Sequence, residues 1–202
     1  MGATDVRLHL TAPTLQTVRV LDADVLVLHH FVEERPLRGL AGVVDWQVGG
    51  RLSRLVVRGL ASGALHDNVL MPGGSGLRVR RVLLMGLGNQ RAYSPDRLRL
   101  VTLHTLDVLG RLHADSFAWA IPGLSVLRIG ARRAVEVMLT ALHQVYVAAD
   151  EAEARAAVSV SFVVPEACWP EVVEPVEAFE RRYGEGSGRA TIRERTRRPT
   201  AR

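Results

Sequence analysis

Side chains with chemistry to offer are few and scattered in this chain. The turn Gly86-Leu87-Gly88-Asn89 follows an apolar run, and a loop of that kind can present backbone amides to a phosphate. It lacks the third glycine of a dinucleotide fingerprint, so a tight strand-to-helix turn is the competing reading of the same four residues. Seven histidines are present, without a His-Glu-x-x-His pattern; His29 and His30 close an apolar run, while His104 and His113 are too far apart to act as adjacent helical ligands. Cys168, the single cysteine, lies between Ala167 and Trp169 with no histidine nearby in sequence, which reads as a buried structural thiol rather than a nucleophile. Asp45, beside Trp46, reads as a solvated carboxylate on an amphipathic helix. These residues predict no catalytic set, no metal and no cofactor.

Charge is distributed unevenly. All 26 basic residues are arginine, and the net charge is +5. Eight arginines against Glu185 and Glu194 fall from Arg181 onward, so the rest of the chain is close to neutral. Residues 184–202 contain almost no apolar side chains and are expected to form a disordered tail. Its Arg189, Arg193, Arg195, Arg197, Arg198 and Arg202 are candidates for binding nucleic-acid phosphates, although the segment has no aromatic residue for base stacking. No apolar run approaches the ~20 residues of a membrane span, and the start, with Asp5 and Arg7, lacks the pattern of a leader. A cytoplasmic protein with no membrane partner is the expectation.

Elements that would position these residues follow from hydrophobic period. Val6–Leu10 and Thr17–Val20 are weak strand candidates, and Asp22–Phe31 holds a short apolar run of the doubly buried type. Within Leu37–Gly59, Leu40, Val44, Val48, Leu52 and Leu55 recur at helical spacing, predicting one amphipathic helix despite Gly49 and Gly50 in its middle. Gly39, Gly42, Gly49 and Ser53 would form a small-residue side where another element packs closely. Strands are predicted at Asn68–Met71 and Val79–Met85, then a helix capped by Ser94 with Pro95 at its first position and Leu98, Thr102, Thr105, Leu109 and Leu112 inward. Phe117, Trp119 and Ile121 mark a strand, and Ala131, Val135, Met138, Leu142 and Val145 a helix. Val158, Val160, Phe162 and Val164 alternate in a last strand, before a helix entered near Pro175 and carrying Val172, Val176, Phe179 and Tyr183. Alternating strands and helices predict a three-layer α/β domain with a mostly parallel central sheet.

The run LAGVVDWQVGGRLSRLVVRG, followed by GALHDNVLMP, RVRRVLLMGLG and GARRAVEVMLTALHQVY, resembles the amino-terminal domain of the dinuclear-metal leucyl aminopeptidases. The resemblance covers about residues 5 to 165 and implies a macro-like fold over residues 1–183. In that family two metal ions sit in a separate carboxy-terminal domain held by carboxylates and a lysine, so no catalytic residue carries over to this lysine-free sequence. The expectation is a non-catalytic relative acting through protein contacts: self-association, or docking on an aminopeptidase-like protein through the Leu37–Gly59 helix or the Arg132, Arg133 and Glu136 surface. Nucleic-acid binding through the tail is the alternative, and nucleotide or ADP-ribose binding at Gly86–Asn89 the third.

Overall fold

Val25–Leu28 is apolar at every position because the sheet it crosses is covered on both sides. In the computed structural model, which describes residues 5–126, 129–148, 157–184 and the backbone of 191–192, β2 (Val25–His30) sends Val25 and Val27 into one apolar core and Leu26 and Leu28 into the other. Strand β4 (Arg81–Gly86) divides the same way, with Leu83 and Met85 on one side and Val82 and Leu84 on the other. A run buried on both faces cannot alternate, which is why periodicity alone finds these strands only as apolar blocks.

Strands β1 (Asp5–Thr11), β2, β3 (Asn68–Pro72), β4, β5 (Ser116–Ala120), β6 (Ala157–Val163) and β7 (Thr191–Ile192) lie in the order β3-β4-β2-β5-β6-β1-β7. All pairings are parallel except β3 with β4. Strand β1 pairs in register with β6, from Asp5 opposite Ala157 to Thr11 opposite Val163. Helices α1 (Leu15–Val20), α2 (Gly39–Gln47) and α3 (Arg51–Val57) cover one face; α4 (Pro95–Arg111), α5 (Gly130–Leu142) and α6 (Trp169–Tyr183) cover the other. The predicted three-layer α/β architecture is present. Ser94 accepts from the Arg97 amide at the start of α4, and Arg111 pairs with Asp107 one turn before the helix ends.

Four local expectations are corrected. Thr17–Val20 belongs to α1 rather than a strand, because the Thr14 hydroxyl caps the Thr17 amide at 3.1 Å. Helix α6 starts at Trp169, with Pro170 in its first turn where a missing N–H breaks no helical bond; Pro175 lies buried inside it. Leu37–Gly59 holds two helices, not one. Gly49 and Gly50 adopt φ of 66° and 74°, ending α2 and leading the chain into α3. The close-packing account of those glycines fails as well: a Cβ at Gly39 or Gly49 would meet nothing within 4 Å, and only Gly42, 2.7 Å from the Leu37 carbonyl oxygen, is sterically tight.

Asp45 is the last correction in this region, since only 9% of it is exposed. Gly50 offers no side chain to cap α3, and Asp45 reaches across from α2 instead. Its Oδ1 accepts from the Ser53 amide at 3.0 Å and its Oδ2 from the Ser53 hydroxyl at 2.5 Å. The carboxylate thereby satisfies a first-turn donor of α3 and sits at the positive end of that helix.

Candidate ligand cleft

A cavity of about 330 Å³ opens at the carboxyl ends of the parallel strands. Its position follows from topology. After β2 the chain passes through α2 and α3, over one face, to β3 and β4; after β5 it passes through α5, over the opposite face, to β6. Connections that diverge to opposite faces leave the strand ends between them uncovered, the place where open α/β sheets accommodate ligands. Leu28, His29 and Phe31 from the end of β2 and Ala120, Ile121 and Leu124 from the end of β5 form facing walls of this crevice.

Polar groups in the lining are sparse. Helix α2 begins in the wall with Gly39, Leu40 and Ala41, so its first-turn amides and the positive end of its dipole lie at the cavity. Glu34 shapes that entrance: one carboxylate oxygen accepts from the Arg38 amide at 2.7 Å, the other from the Phe31 amide at 3.3 Å. The Arg38 side chain shares the lining and has no ion-pair partner among the described residues. His29 contributes an imidazole whose two nitrogens are sealed from solvent without a hydrogen-bond partner among the described residues. Burial, with His30 beside it, pushes its pKa down to about 3, so the ring is neutral at physiological pH. Burial also lowers the pKa of His30, against the opposing pull of Asp67.

The far wall is fixed by Tyr93. Its hydroxyl donates to the Pro122 carbonyl at 3.1 Å, its ring meets Phe31 edge-on at 5.1 Å, and a Cβ on Gly123 would lie 2.4 Å from the ring. One aromatic side chain therefore ties the β2 wall to the β5 wall.

At Gly86–Asn89 three of the four backbone amides are engaged within the fold. The Gly86, Leu87 and Gly88 amides donate to the carbonyls of Asp67, His30 and Gly63 at 2.8, 2.9 and 2.8 Å. A Cβ on Gly86 would fall 2.0 Å from the Ala64 carbonyl oxygen, so these glycines admit a crossing backbone rather than an anion. Asn89 uses its side chain to accept from the Arg91 amide, and only Leu87 reaches the cleft.

Other residues singled out by sequence are placed elsewhere. His104 packs edge-on against His66 at 4.6 Å, and among the described residues no group of three or more histidine, cysteine, aspartate or glutamate side chains could hold a metal. Cys168 is half-buried at the start of α6, correcting the expectation of a fully buried thiol. Arg132 pairs with Glu136 and Glu174, and Arg133 with Glu136, so this cluster largely neutralises itself while tying α5 to α6. Arg189, Arg193, Arg195, Arg197, Arg198 and Arg202 lie outside the described residues. No helix among the described residues is long and apolar enough to cross a membrane. The cleft itself went unread in the sequence. It draws single residues from many segments, and its only local signal was the polar pair His29-His30 closing an apolar strand.

A seven-stranded, mostly parallel sheet between two helical layers, with a crevice at its topological switch point, defines a macro-like α/β domain. The profile of the cytosol aminopeptidase family's N-terminal domain matches residues 25–146, and the chain belongs to that family. It is 29% identical over 110 residues to a probable cytosol aminopeptidase of Pseudomonas aeruginosa (strain UCBPP-PA14), covering 54% of this chain and 22% of that protein. A counterpart from Pseudomonas syringae pv. syringae (strain B728a) is 32% identical over 94 residues, covering 46% of this chain and 19% of that protein. The matched region thus spans about a fifth of these relatives, and the catalytic domain of the family is not evident in it. Among solved structures, a tomato leucine aminopeptidase variant superposes with a TM-score of 0.63 at 16% identity over 88% of this chain and 36% of that one. An Oceanobacillus iheyensis macrodomain variant gives 0.64 at 13% identity over 90% and 97%. A Trypanosoma brucei macrodomain in complex with ADP-ribose gives 0.59 at 16% identity over 89% and 69%.

Proposed function

We propose that this domain is a non-catalytic binding module whose switch-point cleft takes a small ligand with a flat ring and an anionic phosphate group, ADP-ribose being the first candidate. The observation that carries this reading is the cleft's position between diverging connections, with α2 beginning in its wall. Leu28, Phe31, Leu87 and Ile121 supply an apolar seat. Arg38 offers a cation for the phosphate, while Glu34 opposes it at the same entrance. The likeness to a macrodomain that holds ADP-ribose supports the choice of probe.

Calorimetric titration with ADP-ribose and with AMP tests the reading. Saturable heat is expected, and Glu34→Gln should tighten an anionic ligand several-fold by removing a like charge. The absence of saturable heat with both ligands would overturn it. A second reading, docking on a second copy or on an aminopeptidase-like protein, draws support from Val57 and Leu60, which are 78% and 60% exposed beside the end of α3. Replacing both by serine should then lower the mass of the assembly in light scattering; a monomer in both forms, with no aminopeptidase bound, would remove that reading.

A further inference from the structure

The two edges of the sheet are built differently. Along β1 the Leu8 amide donates to the Glu180 carboxylate at 2.7 Å, β7 runs beside His9 and Leu10, and the strand itself carries Asp5 and Arg7. Strand β3, at the opposite edge, reads Asn-Val-Leu-Met-Pro, without a charged residue, and among the described residues its neighbour in the sheet is β4 alone. The Gly86 amide donates to the Asp67 carbonyl at 2.8 Å and the Gly73 amide to the Arg80 carbonyl at 2.9 Å, one at each end of the β3–β4 ladder. Bonded and non-bonded pairs alternate along an antiparallel ladder. With Asn68 opposite Met85 and Pro72 opposite Arg81, the residues of β3 bonded to β4 are therefore Val69 and Met71. Asn68, Leu70 and Pro72 turn their main-chain groups the other way, off the edge of the sheet. Nothing among the described residues bonds to the N–H groups of Asn68 and Leu70 or to the carbonyls of Leu70 and Pro72. Leu70 is also 43% exposed, whereas Met71 is buried.

An open row of N–H and C=O groups is a template for another strand, and proteins blunt such edges with charges, bulges or a covering element. The β1 edge is blunted in this way; β3 has only Pro72, which removes one donor at the end of the strand. We propose that β3 is an interface for a second copy of this chain, pairing antiparallel with its counterpart about a two-fold axis at Leu70 and joining the two sheets into one. The strand's own pattern selects that occupant. In this register Leu70 and its counterpart exchange both main-chain bonds, and each Asn68 amide meets the Pro72 carbonyl of the other copy, so no outward N–H is left over. The donor that proline lacks falls at the rim of the pairing, where water reaches the Asn68 carbonyl. All of β3 overlaps, the exposed Leu70 side chains lie directly opposite one another, and Val69 faces Met71 of the other copy. A closed two-fold contact uses one surface twice and leaves no edge of β3 open to further strands. The pairing rests on main-chain groups and needs neither the cleft nor Val57 and Leu60.

Light scattering of the full chain over a concentration series, with amide hydrogen exchange followed by NMR, provides the test. A dimer is expected in which the Asn68 and Leu70 amides become protected as concentration rises, while those of Val69 and Met71 are protected throughout. Leu70→Pro removes an outward N–H that makes no bond to β4, and Leu70→Lys sets two like charges opposite one another; each should raise the dimer's dissociation constant about tenfold or more. Circular dichroism melts check that both variants stay folded, and the exchange pattern of the unmodified chain needs no variant. A monomer at every concentration, or a dimer whose Asn68 and Leu70 amides still exchange freely, overturns the assignment. So does a dimer that persists in both variants and is lost instead on replacing Val57 and Leu60 by serine, which places the contact on α3. A monomer whose Asn68 and Leu70 amides become protected only on adding a peptide of the β3 sequence also overturns it, in favour of a foreign extended strand.

Discussion

Alanine substitution at Gly49 and Gly50 separates two accounts of the α2–α3 segment by the sign of a stability change. In the structure both residues have left-handed backbone, and neither would meet a backbone obstacle with a Cβ: nothing lies within 4 Å at Gly49, and only the Arg54 guanidinium, at 3.6 Å, at Gly50. The cost of alanine is therefore conformational. A left-handed L-residue costs about 1–2 kcal/mol, and the stiffer unfolded chain offsets about 0.4–1 kcal/mol of that. A net loss of about 1 kcal/mol per site follows, or about 2 kcal/mol for the double variant. Were the segment one continuous helix, the same substitutions would stabilise by about 1 kcal/mol each. For a chain of this size the double variant should melt about 4–8 °C lower. Far-UV circular dichroism with thermal and urea denaturation reads this directly. A melting temperature raised by G49A/G50A would refute the two-helix turn and the reasoning from φ. Asparagine at Gly50, which tolerates left-handed backbone, should cost less than alanine.

Other expectations concern the groups around this turn and the cleft. Asp45→Ala removes the cap on the Ser53 amide and leaves a partly buried hydroxyl unpaired, a loss of about 1–3 kcal/mol in urea unfolding. His29 is held neutral in the folded state down to a pKa of about 3, whereas the unfolded chain protonates it below about 6.5. Its effect on stability is thus absent above pH 6.5 and grows as pH falls from there toward 3, at up to about 1.4 kcal/mol per pH unit. His29→Leu should flatten the stability profile between pH 6 and 4, and an unchanged slope would contradict the buried neutral imidazole. Gly86→Ala would force a methyl group to within 2.0 Å of the Ala64 carbonyl oxygen, and a well-folded variant with wild-type melting would contradict the crossing described for that turn.

Much of the architecture was legible because it rests on burial, and burial leaves its mark in order along the chain. Strands β2, β4, β5 and β6 and helices α4 and α5 each carry an apolar pattern long enough to identify their type. The segment Leu40–Leu55 shows the limit of that signal. Its apolar spacing stays helical through the break, since α2 and α3 both pack on the same core, and only the glycine pair marks the break. Asp45 reads as solvated in the sequence because its partner, Ser53, lies in the next helix and becomes a neighbour only after the turn forms. The cleft was hidden for a related reason. Glu34, His29 and Tyr93 have no common spacing; divergent connections bring them together, and Tyr93 acts through Pro122 and Gly123 in a loop well beyond it in sequence.

The pairing of β1 with β6 has a consequence for biosynthesis. Asp5–Thr11 leaves the ribosome well before its partner Ala157–Val163, which is translated some 150 residues later. At about 5–20 residues per second, the interval is on the order of 10–30 s. Throughout it the nascent β1 holds its apolar side chains Val6, Leu8 and Leu10 without the strand that will satisfy its backbone. The β2–β4 portion of the sheet can form much sooner, so a strand made before it is secured after it, with its apolar side chains uncovered in the interval.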